Sequence, residues 1–188
     1  SVSFANMVFV KHCRFISNRA MNGGGIALIE RDKLFQKVRE TYIVYSSFVN
    51  NIVTEKGAGL YSLNKYKSKS LKTIRNLFYK NKAFVNGGAL FIDKVIWLQI
   101  TEVRFISNQA VQYGRVIKTK KITKATYINC IFKMHSTLRK SGAGAVGIKF
   151  GDVYFYRCLF LSHHLNAIFI NLGKRIIIED CILMNNTA

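Results

Sequence analysis

The motif F-x-x-N stands unbroken at Phe15–Asn18, Phe48–Asn51, Phe78–Asn81 and Phe105–Asn108. Continued at the same spacing, apolar anchors follow at Phe132, Phe160 and Leu183, so that the steps between anchors are 33, 30, 27, 27, 28 and 23 residues. Three positions past each anchor runs a second column, Asn18, Asn51, Asn81, Asn108, His135, His163 and Asn186. Five past each runs a third, Ala20, Val53, Ala83, Ala110, Thr137, Leu165 and Ala188. Self-similarity at such a period marks units that cannot bury their own apolar face and must stack on copies of themselves.

The next column is glycine: Gly23-Gly24-Gly25, Gly57-Ala58-Gly59, Gly87-Gly88-Ala89, Gly114 and Gly142-Ala143-Gly144. Short apolar runs follow, such as Ile26-Ala27-Leu28, Leu90-Phe91-Ile92 and Val146-Gly147-Ile148, then lysine-rich stretches, then a further strand-like piece leading to the next anchor. Each repeat therefore offers about three strands of about three to five residues, separated by corners. Glycine permits positive φ at one corner; asparagine tolerates it at another and can bond to its equivalent about 4.8 Å away in the next repeat. An α-solenoid would need long runs with apolar spacing of three and four, which the glycine clusters and β-branched runs oppose. Proline is absent from the 188 residues, which favours a regular hydrogen-bonded lattice over irregular loops. The expectation is an all-β parallel β-helix of about seven three-sided rungs, with residues 1–188 forming one domain. Both ends fall inside a repeat, so a longer solenoid or an assembly with neighbouring segments is expected. No apolar run reaches the ~20 residues that a membrane-spanning helix needs.

The F-x-x-N series, with G-G-A-L at Gly87–Leu90 and its relatives at Gly57–Leu60 and Gly23–Ile26, resembles the repeats of chlamydial polymorphic outer-membrane proteins. It is similar too to repeats in large surface proteins of some protists. The resemblance implies the pectin-lyase-like right-handed β-helix and an extracellular or cell-surface protein used for adhesion or scaffolding. It covers roughly the whole chain, strongly to Gly114 and weakly beyond. His replaces Asn in two copies, the sixth copy lacks the glycines, and the 188 residues themselves carry no autotransporter-type barrel pattern.

Cys13, Cys130, Cys158 and Cys181 each stand two residues before an anchor, on the interior face. No C-x-x-C or zinc-type spacing occurs, so the reading is a row of small buried residues, with a Cys158–Cys181 disulfide left open. His135 and His163 fall in the Asn column of successive repeats; they are weak candidates for sharing a metal ion or sensing acid, set against simple stacking within the ladder. The nine carboxylates are scattered over columns, without the converging pair that a glycan hydrolase or lyase of this architecture requires. A polysaccharide-active lyase or hydrolase is thus the alternative function, and no cofactor is expected.

Basic residues outnumber acidic ones 29 to 9, a formal charge of +20. Many follow the post-glycine strand: Arg31, Lys33, Lys37, Lys65, Lys67, Lys69, Lys72, Lys94, Lys118, Lys120, Lys121, Lys124, Lys149, Lys174 and Arg175. Stacked, they are expected to line one edge. That edge is either a solvated border deterring lateral sheet pairing or a track for an anionic partner: acidic glycan, acidic protein face or nucleic acid. The reading is a non-enzymatic structural or adhesive module whose basic edge docks that partner.

Overall fold

A computed structural model describes residues 7–30, 40–111, 116–135, 145–163 and 166–186. Among these there is no helix, and every strand pairing is parallel. Three sheets hold seven, four and nine strands.

The seven-stranded sheet is built from three-residue strands: Arg14–Ile16, Ser47–Val49, Leu77–Tyr79, Arg104–Ile106, Ile131–Lys133, Leu159–Leu161 and Ile182–Met184. Their register puts Phe15, Phe48, Phe78, Phe105, Phe132, Phe160 and Leu183 side by side, as the sequence spacing predicts. Successive rings stack with centroids 4.8, 4.5, 5.2, 5.0 and 4.7 Å apart. The four inner rings from Phe48 to Phe132, and Phe160, are fully buried. Leu183 departs from the expected interior and is 51% exposed; among the described residues its register partner is Phe160.

Both ends of these strands are cut by left-handed residues. On the entry side stand His12, Tyr45, Arg75, Glu102, Asn129, Arg157 and Asp180, with φ between +51° and +54°. On the exit side stand Ser17, Asn50, Lys80, Ser107, Met134, Ser162 and Asn185, with φ between +52° and +56°. The Asn column was expected to take this conformation itself; instead the residue just before each Asn takes it, and the Asn side chain secures the corner. Oδ1 of Asn51 accepts from the N–H and Nδ2 of Asn18, Oδ1 of Asn81 from those of Asn51, and Oδ1 of Asn108 from those of Asn81, all at 2.9–3.1 Å. Nδ2 of Asn51, Asn81 and Asn108 also reaches back to the carbonyl of Phe15, Phe48 and Phe78 respectively, at 2.8–3.0 Å. Strain at the preceding residue, typically 1–3 kcal/mol for a non-glycine residue held there, is offset by a buried amide that is fully paired.

The four-stranded sheet (Arg19–Asn22, Ile52–Lys56, Lys82–Ala83, Gln109–Ala110) aligns Ala20, Val53, Ala83 and Ala110. The remaining members of that column, Thr137, Leu165 and Ala188, lie outside the described residues, as do Gly114 and Gly142 to Gly144. Gly87 opens its cluster at φ +64°, where a side chain would strike the Leu90 carbonyl. Gly59 serves a different end: a Cβ there would lie 2.6 Å from Cδ1 of Phe78, so its bareness makes room for the stacked ring.

The nine-stranded sheet differs from the expectation of short separate strands. Leu60–Ile74, Leu90–Thr101, Val146–Tyr156 and Ile168–Glu179 run unbroken from the post-glycine run to the piece before the next anchor. Ile26–Glu30 and Glu40–Val44 are separate strands, both paired with Leu60–Ile74, and around Lys121 the path is divided into Ile117–Lys120 and Lys124–Ile128. Both halves face Leu90–Thr101 on one side and Val146–Tyr156 on the other, so the pairings close a circuit. Register shifts at Asp93/Val95 and Gly151/Val153 mark where the long strands bend. Leucine, isoleucine and valine from both halves join the Phe column in one continuous core.

Candidate anion-docking face

The bend divides the lysines. Before it, Asp93, Lys120, Lys149 and Asn171 are in register, and so are Phe91, Lys118, Gly147 and Phe169. Lys118 is 9% exposed. Burial first, and then the neighbouring Lys120 and Lys149, push its ammonium below the ordinary lysine range. Three cations thus share one patch. The Phe91 ring lies under two amines, Lys56 at 5.4 Å and Lys120 at 5.7 Å from its centroid, an arrangement favourable to a cation. Lys94 and Lys121 occupy the bend with φ +59° and +52°.

Beyond the bend the strands present a flat outer face. One row carries Glu40, Ser70, Trp97, Lys124 and Asp152; the next carries Tyr42, Lys72, Gln99, Thr126, Tyr154 and Ile177. Lys72 and Lys124 therefore stand on this face, not on the edge where the sequence places them. Lys174 and Arg175 are exposed just past Gly173. Lys65, Lys67 and Lys69 lie within strand Leu60–Ile74, with side chains outside the described set, and Arg31, Lys33 and Lys37 lie outside the described residues. Two ion pairs occur among the described residues, Arg75–Glu102 at 2.6 Å and Arg157–Asp180 at 3.8 Å, both exposed and both at left-handed corners.

The carboxylates are dispersed. Glu55 accepts from Asn22 Nδ2 at 3.1 Å, Glu40 from the Tyr42 hydroxyl at 2.8 Å, and Glu102 and Asp180 hold the two arginines. Among the described residues no three His, Cys, Asp or Glu side chains converge on a common point.

The cysteine column is real and is shared: Cys13, Ser46, Asn76, Val103, Cys130, Cys158 and Cys181 follow one another through backbone bonds of 2.8–3.0 Å. Its polar members act as acceptors. The N–H of Cys13 reaches Ser46 Oγ, that of Ser46 reaches Asn76 Oδ1, and that of Cys158 reaches Cys181 Sγ at 3.3 Å. Small size alone is thus an incomplete account of the column; Ser46, Asn76 and Cys181 also tie the entry corner of the neighbouring repeat through their side chains. All four cysteines are free thiols, and burial pushes the Cys130 thiol well up.

His135 and His163 continue the Asn ladder, stacked at 5.0 Å, with Nδ1 of His135 taking the Asn108 N–H at 3.0 Å. Sequence reasoning passed over Trp97, Gln99, Thr126 and Ser70, which the flat face brings together. A signal was available: Trp97 is the sole tryptophan, at an alternate position of an otherwise apolar run. No protein-family model, curated protein or solved structure matches the chain.

Proposed function

We propose that the chain is a right-handed parallel β-helix of about seven three-sided rungs and serves as a non-enzymatic structural or adhesive module of a surface or secreted protein. In this reading it docks an anionic partner through its lysine-rich side. The in-register Phe and Asn columns, each strand pairing with the strand one repeat away, support the coil. The circuit in the nine-stranded sheet fits it as well, since two halves of a bent strand face the same two neighbours at separate places.

One observation carries the docking role: Lys120 and Lys149 are in register on neighbouring strands, and Lys118 stands two residues before Lys120, its ammonium depressed first by burial and then by these two charges. A partner's anionic groups would relieve that repulsion, and a formal charge of +20 draws polyanions from a distance. The test is retention on immobilised heparin across a salt gradient. Retention that weakens with salt, and earlier elution of the Lys120→Gln/Lys149→Gln variant, is expected. Retention indifferent to both salt and the substitutions overturns the reading.

A further inference from the structure

On the flat outer face, a groove of about 520 Å³ is lined by Ser70, Lys72, Trp97, Gln99, Lys124 and Thr126, with Leu98 and Ile128. The volume falls within the range of small-ligand sites. Two cation–aromatic contacts shape it. Lys72 leans one strand back onto Tyr42, its Nζ 5.1 Å from the ring centroid and 3.4 Å from the hydroxyl. Lys124 leans one strand forward onto Tyr154, 4.7 Å from the centroid. The two ammonium groups are drawn apart, and the strand between them presents Trp97 and Gln99.

Trp97 is 53% exposed, so its indole is accessible to a partner that packs on an aromatic ring. Around the indole stand an amide, Gln99, whose Nε2 is bonded only weakly to Thr101 Oγ1 at 3.4 Å, and the hydroxyl of Thr126. The Ser70 hydroxyl, also lining the groove, is buried and has no hydrogen-bond partner among the described residues. The surface is thus an aromatic platform, a strip of neutral hydrogen-bonding groups and one cation at each end.

We infer that this groove is a binding site for a short acidic oligosaccharide, a sugar ring lying on Trp97 and carboxylate or sulfate groups meeting Lys72 and Lys124. A pyranose offers an apolar face to the indole and a rim of hydroxyls to Gln99 and Thr126. Single-stranded nucleic acid fits less well. It calls for cations tracking every phosphate and several stacking faces in succession, whereas this groove has one indole and two separated cations. The inference rests on the reading of the chain as an anion-docking module and adds a second seat, beyond the bend, and a ligand class.

Because Trp97 is the sole tryptophan, its fluorescence reports on this groove alone. The full chain is titrated with oligogalacturonate, with a neutral maltooligosaccharide and with single-stranded DNA, and affinities are checked by calorimetry on Trp97→Ala and Lys72→Gln/Lys124→Gln. Saturable change in tryptophan emission with oligogalacturonate, little with the neutral sugar, and affinity about tenfold weaker in each variant are expected, a tenfold change being about 1.4 kcal/mol. No emission change, undiminished binding by Trp97→Ala, or a response to DNA without one to the acidic sugar overturns the proposal. If heparin retention persists while the emission is silent, this inference falls alone; if salt-sensitive retention is lost as well, the docking reading falls with it.

Discussion

The imidazole of His135 lies face to face with that of His163, 6° from parallel and fully buried, in a column where five other repeats place asparagine. Nδ1 of His135 lies within hydrogen-bond reach of both the N–H of Asn108, at 3.0 Å, and its carbonyl oxygen, at 3.1 Å, so the ring stands where the other repeats place an amide that accepts and donates. Asparagine at both positions restores the side chain that Asn81 and Asn108 use to hold the N–H groups of Asn51 and Asn81. His135→Asn/His163→Asn should therefore stay within about 1 kcal/mol of the parent in urea unfolding, whereas His135→Leu/His163→Leu, which keeps bulk and removes the acceptor, should lose about 1–3 kcal/mol. Equal losses in the two double variants would mean that hydrogen bonding along the ladder is not what the histidines supply.

Phe105 is sandwiched between Phe78 at 5.2 Å and Phe132 at 5.0 Å and is fully buried. Truncation to Ala opens a gap in a stacked column whose neighbours are pinned by their own strand pairings, and should cost about 3–5 kcal/mol. Phe105→Asp, which adds an unpaired charge, should do worse. Phe84, 47% exposed, provides the comparison; its truncation should stay within about 0.5 kcal/mol of the parent. Equal melting of the Phe105 and Phe84 variants would mean that the ring column does not carry the core.

The columns were legible because they repeat. Phe, Asn and small residues recur at one place in each unit, and parallel pairing converts that recurrence directly into register. The left-handed corners were not legible, since Tyr45, Arg75 and Met134 share no chemistry; their conformation is imposed by the bonded side chain that follows, not by their own propensity. The lysine face was misplaced for a related reason. Lys94 and Lys121 sit at a bend, yet the strand continues through Lys94 without a glycine or turn signal to announce it, so residues on two facets read as one polar stretch. Trp97 was overlooked because an apolar residue in a strand-like run is ordinarily assigned inward, and which alternate faces outward depends on the register shift at Asp93/Val95.

Tyr127 carries its hydroxyl into the core, fully buried and with no hydrogen-bond partner among the described residues, and burial pushes its pKa up. Its ring stacks on Phe155 at 4.6 Å, where phenylalanine would pack equally well. Removing the oxygen relieves a buried, unpaired polar group, so Tyr127→Phe should raise stability by about 1 kcal/mol. A loss of that size, measured by denaturant unfolding, would show that the hydroxyl has a partner in the folded protein.

Lys118 supplies the sharpest electrostatic test. Its ammonium is depressed by burial and by Lys120 and Lys149, so the unfolded chain, in which lysine titrates near about pH 10.4, holds this proton more tightly than the folded one. Stability consequently rises as pH climbs through the interval between the depressed folded value and that unfolded one. Lys120→Gln removes one of the two charges responsible. It should stabilise the protein near neutral pH, more at about 10 mM salt than at about 1 M, where the repulsion is already screened. It should also weaken the alkaline gain relative to the parent, a difference in which the tyrosine and cysteine titrations common to both proteins cancel. If Lys120→Gln destabilises at low salt, the three amines are not repelling one another, and the case for an anionic partner on this side loses its physical basis.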